Sequence, residues 1–157
     1  SVVCVTGEGS LQMNIQELQT IRQNRLPVKL FVINNQGYHS IRQTQQSYFA
    51  PPLVGVGEES RDLSFPDLEK LAPAYGFTYR AIHHAEELPD VIREVLEMDG
   101  AAVCEVYVTK YQKTEAKTSA KKLEDGSMVS APLEDMYPFL DQKELEENMY
   151  IPLPKKY

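Results

Sequence analysis

Glu8 stands between two glycines in VTGEGSLQMN (residues 5–14), where an apolar run gives way to helical spacing. Glycines at such a turn commonly let a phosphate approach the backbone and a helix N-terminus. A carboxylate there carries the phosphate's own sign and repels it. A phosphate loop of the GxxxxGK[ST] type is absent, because no Lys follows Gly9. The dinucleotide pattern GxGxxG is half present: Gly7 and Gly9 fit, but Gln12 stands where the third glycine belongs. A metal-bridged phosphate removes the conflict, because Mg²⁺ takes oxygen ligands in an octahedron and joins carboxylates to phosphates. Glu8 then holds the metal while the Gly9 and Ser10 amides hold the phosphate.

The second turn, NNQG (34–37), completes such a shell. Asn35 and Gly37 follow Glu8 by 27 and 29 residues, and an amide oxygen and a turn carbonyl are both hard, neutral ligands. One carboxylate, one amide and one carbonyl leave room for two phosphate oxygens and a water. The bland alternatives stay open at this point. Asn and Gly tolerate positive φ and make ordinary turns, and Glu8 is also a first-turn acid favoured by a helix dipole.

For both turns to face one ligand they must leave the same edge of a sheet, and the chain has the required alternation. VVCVT (2–6) reads as a strand covered on both faces. Ser10 is the expected N-cap of a helix whose Leu11, Ile15, Leu18 and Ile21 share a face. VKLFVI (28–33) is the second strand, and a helix is expected near 40–48. Residues 50–64 are loop by composition, and Pro66 sits at the start of a helix carrying Leu68, Leu71, Ala72 and Tyr75. FTYRAI (77–82), a helix striped by Leu88, Val91, Ile92, Val95 and Leu96, and AAVCEVYV (101–108) follow. This alternation predicts an α/β fold, a three-layer αβα arrangement around a mainly parallel sheet. In such sheets ligands bind at the carboxyl ends of the strands.

Residues 1–109 form the α/β part, 110–122 a polar linker, and 123–157 an irregular tail whose Met136, Tyr137, Phe139 and Leu140 are expected to lie on a surface. EDGSM (124–128) reads as a plain turn, and His83 and His84 as surface or packing residues. With no Met and no approach before the first strand, the chain reads as a piece of a longer polypeptide. Its 157 residues are 42% hydrophobic and 25% charged, as in ordinary globular domains. A net charge of −7 argues against nucleic-acid or anionic-membrane partners. No run approaches the ~20 apolar residues of a membrane span. Cys4 and Cys104, both in apolar runs, read as buried reduced thiols in a cytoplasmic protein.

The pair GEGS and INNQGY at this spacing closely resembles the thiamine-diphosphate motif GDG(S/A)…NN of the acetolactate-synthase-like family. LQMNIQELQTI and LPVKLFVINN are similar to that family's helix and following strand, over residues 1–109, and LEDGSMVSAPLEDMYPFL is similar to the tail of some members. The resemblance implies the later part of the third of three domains, the one that holds the cofactor's diphosphate. It implies Gly7, Glu8, Gly9, Ser10, Asn35, Gly37 and Tyr38 as cofactor contacts, with Glu8, Asn35 and Gly37 as Mg²⁺ ligands. Tyr38, His39 and Ile41 become substrate-pocket residues, although His39 is equally a solvated helix-start residue. Glu8 departs from the usual Asp, and its extra methylene carries the carboxylate outward by ~1.5 Å. The implied activity is carboligation or decarboxylation of a small 2-oxo acid by a homodimer or homotetramer. Other 2-oxoacid decarboxylases, acyl-CoA lyases, or a domain that has lost the cofactor are the alternatives. The family's activating glutamate comes from the pyrimidine domain and has no match here, so no catalytic residue is assigned. This chain alone is expected to fold without turning over substrate.

Overall fold

The computed structural model describes residues 1–49, 51–122 and 125–152. The chain divides into two compact units, Ser1–Lys110 and Tyr111–Tyr157. The first unit runs β1 (Val2–Gly7), α1 (Glu8–Met13), α2 (Glu17–Gln23), β2 (Val28–Asn34), α3 (His39–Tyr48), α4 (Leu68–Ala74), β3 (Thr78–Ile82), α5 (Leu88–Glu97) and β4 (Ala102–Tyr107). The strands form one parallel sheet in the order β1-β2-β4-β3.

Alternation along β2 and β4 splits the core into two layers. Leu30, Val32 and Val103 pack with Leu11, Leu18, Leu68 and Ala72 from α1, α2 and α4. Phe31, Ala102 and Cys104 pack on the opposite face with Val95, Val91 and Ile92 from α5. The chain advances from β1 to β2 to β3, then steps back to β4. Right-handed crossovers therefore place α5 on the face opposite the earlier helices. The three-layer α/β fold with a parallel sheet is thus the observed one. No described helix is long and apolar enough to cross a membrane.

Several local expectations change. The first helix starts at Glu8 with Gly7 as its cap, not at Ser10, because the chain turns directly out of β1. It breaks at residues 14–16, where i→i+3 bonds such as Glu17 N to Asn14 O (2.9 Å) replace helical ones. The apolar face survives the break, since Ile15 and Ile21 still pack on the core. Helix α4 begins at Leu68, capped by the Asp67 side chain, which accepts from the Lys70 amide at 3.2 Å. Among the described residues strand β1 pairs only with β2, and it is not covered on both faces: Val2, Val3 and Val5 are more than half exposed. Cys4 is accordingly exposed, whereas Cys104 is fully buried and burial pushes its thiol up to about 11.

The second unit is largely irregular but contains two pieces that its sequence period does not announce. A short antiparallel pair joins β5 (Ala120–Lys122), inside the expected linker, to β6 (Met128–Ser130). Helix α6 (Gln142–Glu147) is capped by the Asp141 side chain and buries Leu145. Asp125 accepts from the Ser127 amide at 2.9 Å, so residues 125–127 form the expected turn. Met136, Tyr137 and Leu140 each keep over a third of their surface exposed. Leu123, Glu124 and the last five residues lie outside the described ones.

Candidate functional site

Register places the two turns side by side. Gly7 pairs with Ile33 in the sheet, so Glu8 and Asn34 leave adjacent strand ends at the same level. Glu8 opens α1 and is 5% exposed, and its Oε1 accepts the Gly37 amide at 2.6 Å. Burial pushes its carboxyl above the usual carboxylate value. The amides of Gly37, Glu8 and Asn35 and the charge of Arg42 pull it back without cancelling that rise. A buried acid with few partners binds either a proton or a cation more readily than an exposed one.

The two asparagines divide the labour of the second turn. Asn34 shapes it: Nδ2 donates to Glu105 Oε1 at 2.6 Å, and Oδ1 accepts the Gln36 amide at 2.9 Å. Asn35 Oδ1 is buried with no hydrogen-bond partner. Gln36 takes a left-handed φ of +60° and Gly37 a φ of +154°. Gly37 then faces Gly57 in an isolated antiparallel bridge, in which the Tyr38 amide donates to Val56 O at 2.7 Å. A Cβ on Gly37 would lie 2.0 Å from Val56 O, and one on Gly57 would lie 2.1 Å from Gln36 O. Both positions therefore admit only glycine.

A cleft of about 240 Å³ is bordered by Gly7, Glu8, Gly9 and Ser10 from the first turn and by Asn35, Gly37 and Tyr38 from the second. His39 and Ile41, the remaining pocket candidates, line it too. Tyr38 lies over Gly9, where a Cβ would come within 2.4 Å of its ring, and meets Phe65 edge-on at 5.7 Å. His39 Nδ1 is buried without a partner, while Ile41 is nearly half exposed. Among the described residues no three His, Cys, Asp or Glu side chains gather to hold a metal. A cation here would rest on one carboxylate supplemented by neutral oxygens.

Three groups supporting this turn were not among the sequence candidates. Arg42, 2% exposed, donates to Gln36 O at 3.1 Å and pairs with Glu59 from the 50–64 loop. Glu105, buried within β4, also accepts the Tyr79 hydroxyl at 2.6 Å, and burial together with that carboxylate pushes the Tyr79 phenol up. A carboxylate inside an otherwise apolar strand was the available signal for Glu105. His83, read as a surface or packing residue, stacks on Tyr107 at 4.5 Å.

Residues 1–106 match the family model described as thiamine pyrophosphate enzyme, C-terminal TPP binding domain. The chain is 42% identical over 97 residues to acetolactate synthase isozyme 3 large subunit of Escherichia coli (strain K12), covering 62% of this chain and 16% of that protein. It is 32% identical over 109 residues to the acetolactate synthase large subunit of Pyropia yezoensis, covering 69% and 18%. The chain thus spans under a fifth of these relatives. The solved benzoylformate decarboxylase from Polynucleobacter necessarius superposes with a TM-score of 0.61 at 28% identity, over 71% of this chain and 20% of that one. A parallel sheet with two glycine-bearing turns at its carboxyl edge, matched by that family model through residue 106, places this chain among the thiamine pyrophosphate enzymes as a member of their C-terminal cofactor-binding domain.

Proposed function

We propose that the Glu8–Asn35–Gly37 cleft binds Mg²⁺ bridged to the diphosphate of thiamine diphosphate. On this reading the chain is the diphosphate-binding portion of an acetolactate-synthase-like carboligase or decarboxylase acting on a small 2-oxo acid. The observation that carries it is Asn35 Oδ1, an oxygen stripped of water and left without a partner beside a buried carboxylate. Leaving such an acceptor unsatisfied costs about 1–3 kcal/mol, which a bound cation would offset. The donor set fits Mg²⁺: one carboxylate, one amide oxygen and one turn carbonyl, with no thiolate or imidazole among them.

When bound, thiamine diphosphate supplies the carbon nucleophile and electron sink that 2-oxo acid chemistry needs. The chain's own residues anchor and orient. Glu8 contributes the negative charge that a cation balances, and it fixes the Gly37 amide. Gly9 leaves the room that Tyr38 fills, and Tyr38, His39 and Ile41 form the wall where a substrate would meet the cofactor. No side chain here is assigned to a bond-making step. Assembly as a homodimer or homotetramer of the full natural polypeptide belongs to the same proposal.

Calorimetric titration of thiamine diphosphate into that polypeptide, with and without Mg²⁺, tests it. Binding should require Mg²⁺, weaken on Asn35→Ala and persist on Glu8→Asp. Metal-independent binding, or an Asn35→Ala variant that binds like the parent, would overturn it.

A further inference from the structure

One peptide unit in the site is held at both ends. The Gln36–Gly37 peptide gives its N–H to Glu8 Oε1 at 2.6 Å, and its carbonyl oxygen accepts Arg42 Nη2 at 3.1 Å. Arg42 is in turn gripped by Glu59, through Nε to Oε1 and Nη2 to Oε2 at 3.3 Å. The order is carboxylate, peptide, guanidinium, carboxylate, so each charge polarises the next bond.

This arrangement is a poor investment if stability is its only purpose. Burying a guanidinium is expensive, a well-packed apolar side chain often does as well, and Arg42 Nη1 remains buried without a partner. What the arrangement does achieve is orientation. The clamped peptide lies between Gln36 at φ +60° and Gly37 at φ +154°, a backbone path that relaxes unless its surroundings determine it. The Gly37 carbonyl is the next group along the chain, so its direction follows from how that peptide is held.

We propose that Arg42 and Glu59 are positioning residues for the metal-binding turn, fixing the Gln36–Gly37 peptide against Glu8 so that the Gly37 carbonyl and the Glu8 carboxylate are set for one cation. The inference rests on the cleft being the metal–diphosphate site. It assigns a task to Glu59, which sits on a 3₁₀ turn (Glu58–Ser60) just after Gly57. The same stretch supplies the Val56 carbonyl that receives the Tyr38 amide, so the loop braces the turn by backbone and by charge together.

The test compares the full natural polypeptide with Glu59→Gln, Glu59→Asp, Arg42→Lys and the Arg42→Lys/Glu59→Gln double variant. At saturating thiamine diphosphate, Glu59→Gln and Arg42→Lys should each raise the half-saturating Mg²⁺ concentration about tenfold or more, as loss of a ligand-orienting group does. Glu59→Asp, which keeps the charge, should recover part of that loss. The double variant should be little worse than Arg42→Lys alone, because both act on one peptide. Amide exchange of residues 36–38, measured without cofactor or metal, should quicken in Glu59→Gln. Unchanged Mg²⁺ dependence in Glu59→Gln, or additive losses in the double variant, would overturn the positioning role. A parent protein that binds no Mg²⁺–thiamine diphosphate would overturn the functional reading, and unaltered amide exchange would then overturn the clamp separately.

Discussion

Substituting Gly37 by alanine perturbs the centre of the site with a single methyl group. The added Cβ would lie 2.0 Å from Val56 O and 2.6 Å from Arg42 Nη2, and the residue would have to keep a φ of +154°. A non-glycine residue in so sparsely populated a region costs about 1–3 kcal/mol. Relief of the clash requires separating the Gly37 and Gly57 backbones, which breaks the Tyr38 N to Val56 O bond and loses roughly 1 kcal/mol more. The expected loss of unfolding free energy is therefore about 2–4 kcal/mol by these contributions. Gly55 provides the control on the same loop. Its φ is +63° but a Cβ there meets nothing within 4 Å, so Gly55→Ala should cost only the left-handed backbone, about 1–2 kcal/mol. Denaturant titrations followed by circular dichroism measure both variants, and cofactor titration should show binding lost only in Gly37→Ala. Equal destabilisation by the two, with binding intact, would refute the close approach of the two glycine backbones.

Burial raises the Glu8 carboxyl, so its ionised form disfavours the fold: its contribution is fully present below the unfolded value and is lost as pH rises through the folded one. Glu8→Gln should therefore gain stability relative to the parent as pH climbs through that range, in the absence of metal, while losing Mg²⁺-dependent binding; a gap that shrinks with rising pH would contradict this. Lys29, 1% exposed, donates to Met98 O and Gly100 O at 2.5 and 2.7 Å and so closes the end of α5. Lys29→Met should cost about 2–4 kcal/mol in a denaturant titration, by removing two hydrogen bonds from a charged donor, and should leave cofactor affinity unchanged. Cys104, buried with its thiol pushed up to about 11, should react with a thiol reagent only as the domain unfolds, as peptide mapping after labelling would show.

The two turns were legible because Glu8 between glycines and paired asparagines are unusual at strand-to-helix junctions, and parallel topology brings consecutive junctions to one edge. Alternating elements also revealed the layers, since helical and strand periods differ. What sequence reading missed depends on partners distant in the chain. Asn34 and Glu105 meet across 71 residues through the β2–β4 register, and Arg42 on α3 reaches Glu59, 17 residues further on, beyond a loop with no period. Within NN, Asn34 is tied to Glu105 and to the Gln36 amide, which leaves Asn35 to face the cleft. An apolar run reads alike at the edge and in the middle of a sheet, so the exposure of Cys4 was invisible. The break at residues 14–16 was hidden for a related reason, because the apolar spacing continues across it.

The most direct test of the proposed metal–diphosphate site is to locate the cation. Crystals of the full natural polypeptide grown with thiamine diphosphate and Mn²⁺ in place of Mg²⁺ would reveal it by anomalous scattering. The expected peak lies at ordinary metal–oxygen distance, about 2.1–2.3 Å, from Asn35 Oδ1, the Gly37 carbonyl oxygen and the Glu8 carboxylate, with the diphosphate completing the shell. A peak remote from Asn35 and Gly37, or a bound cofactor whose diphosphate lies outside the cleft, would contradict it.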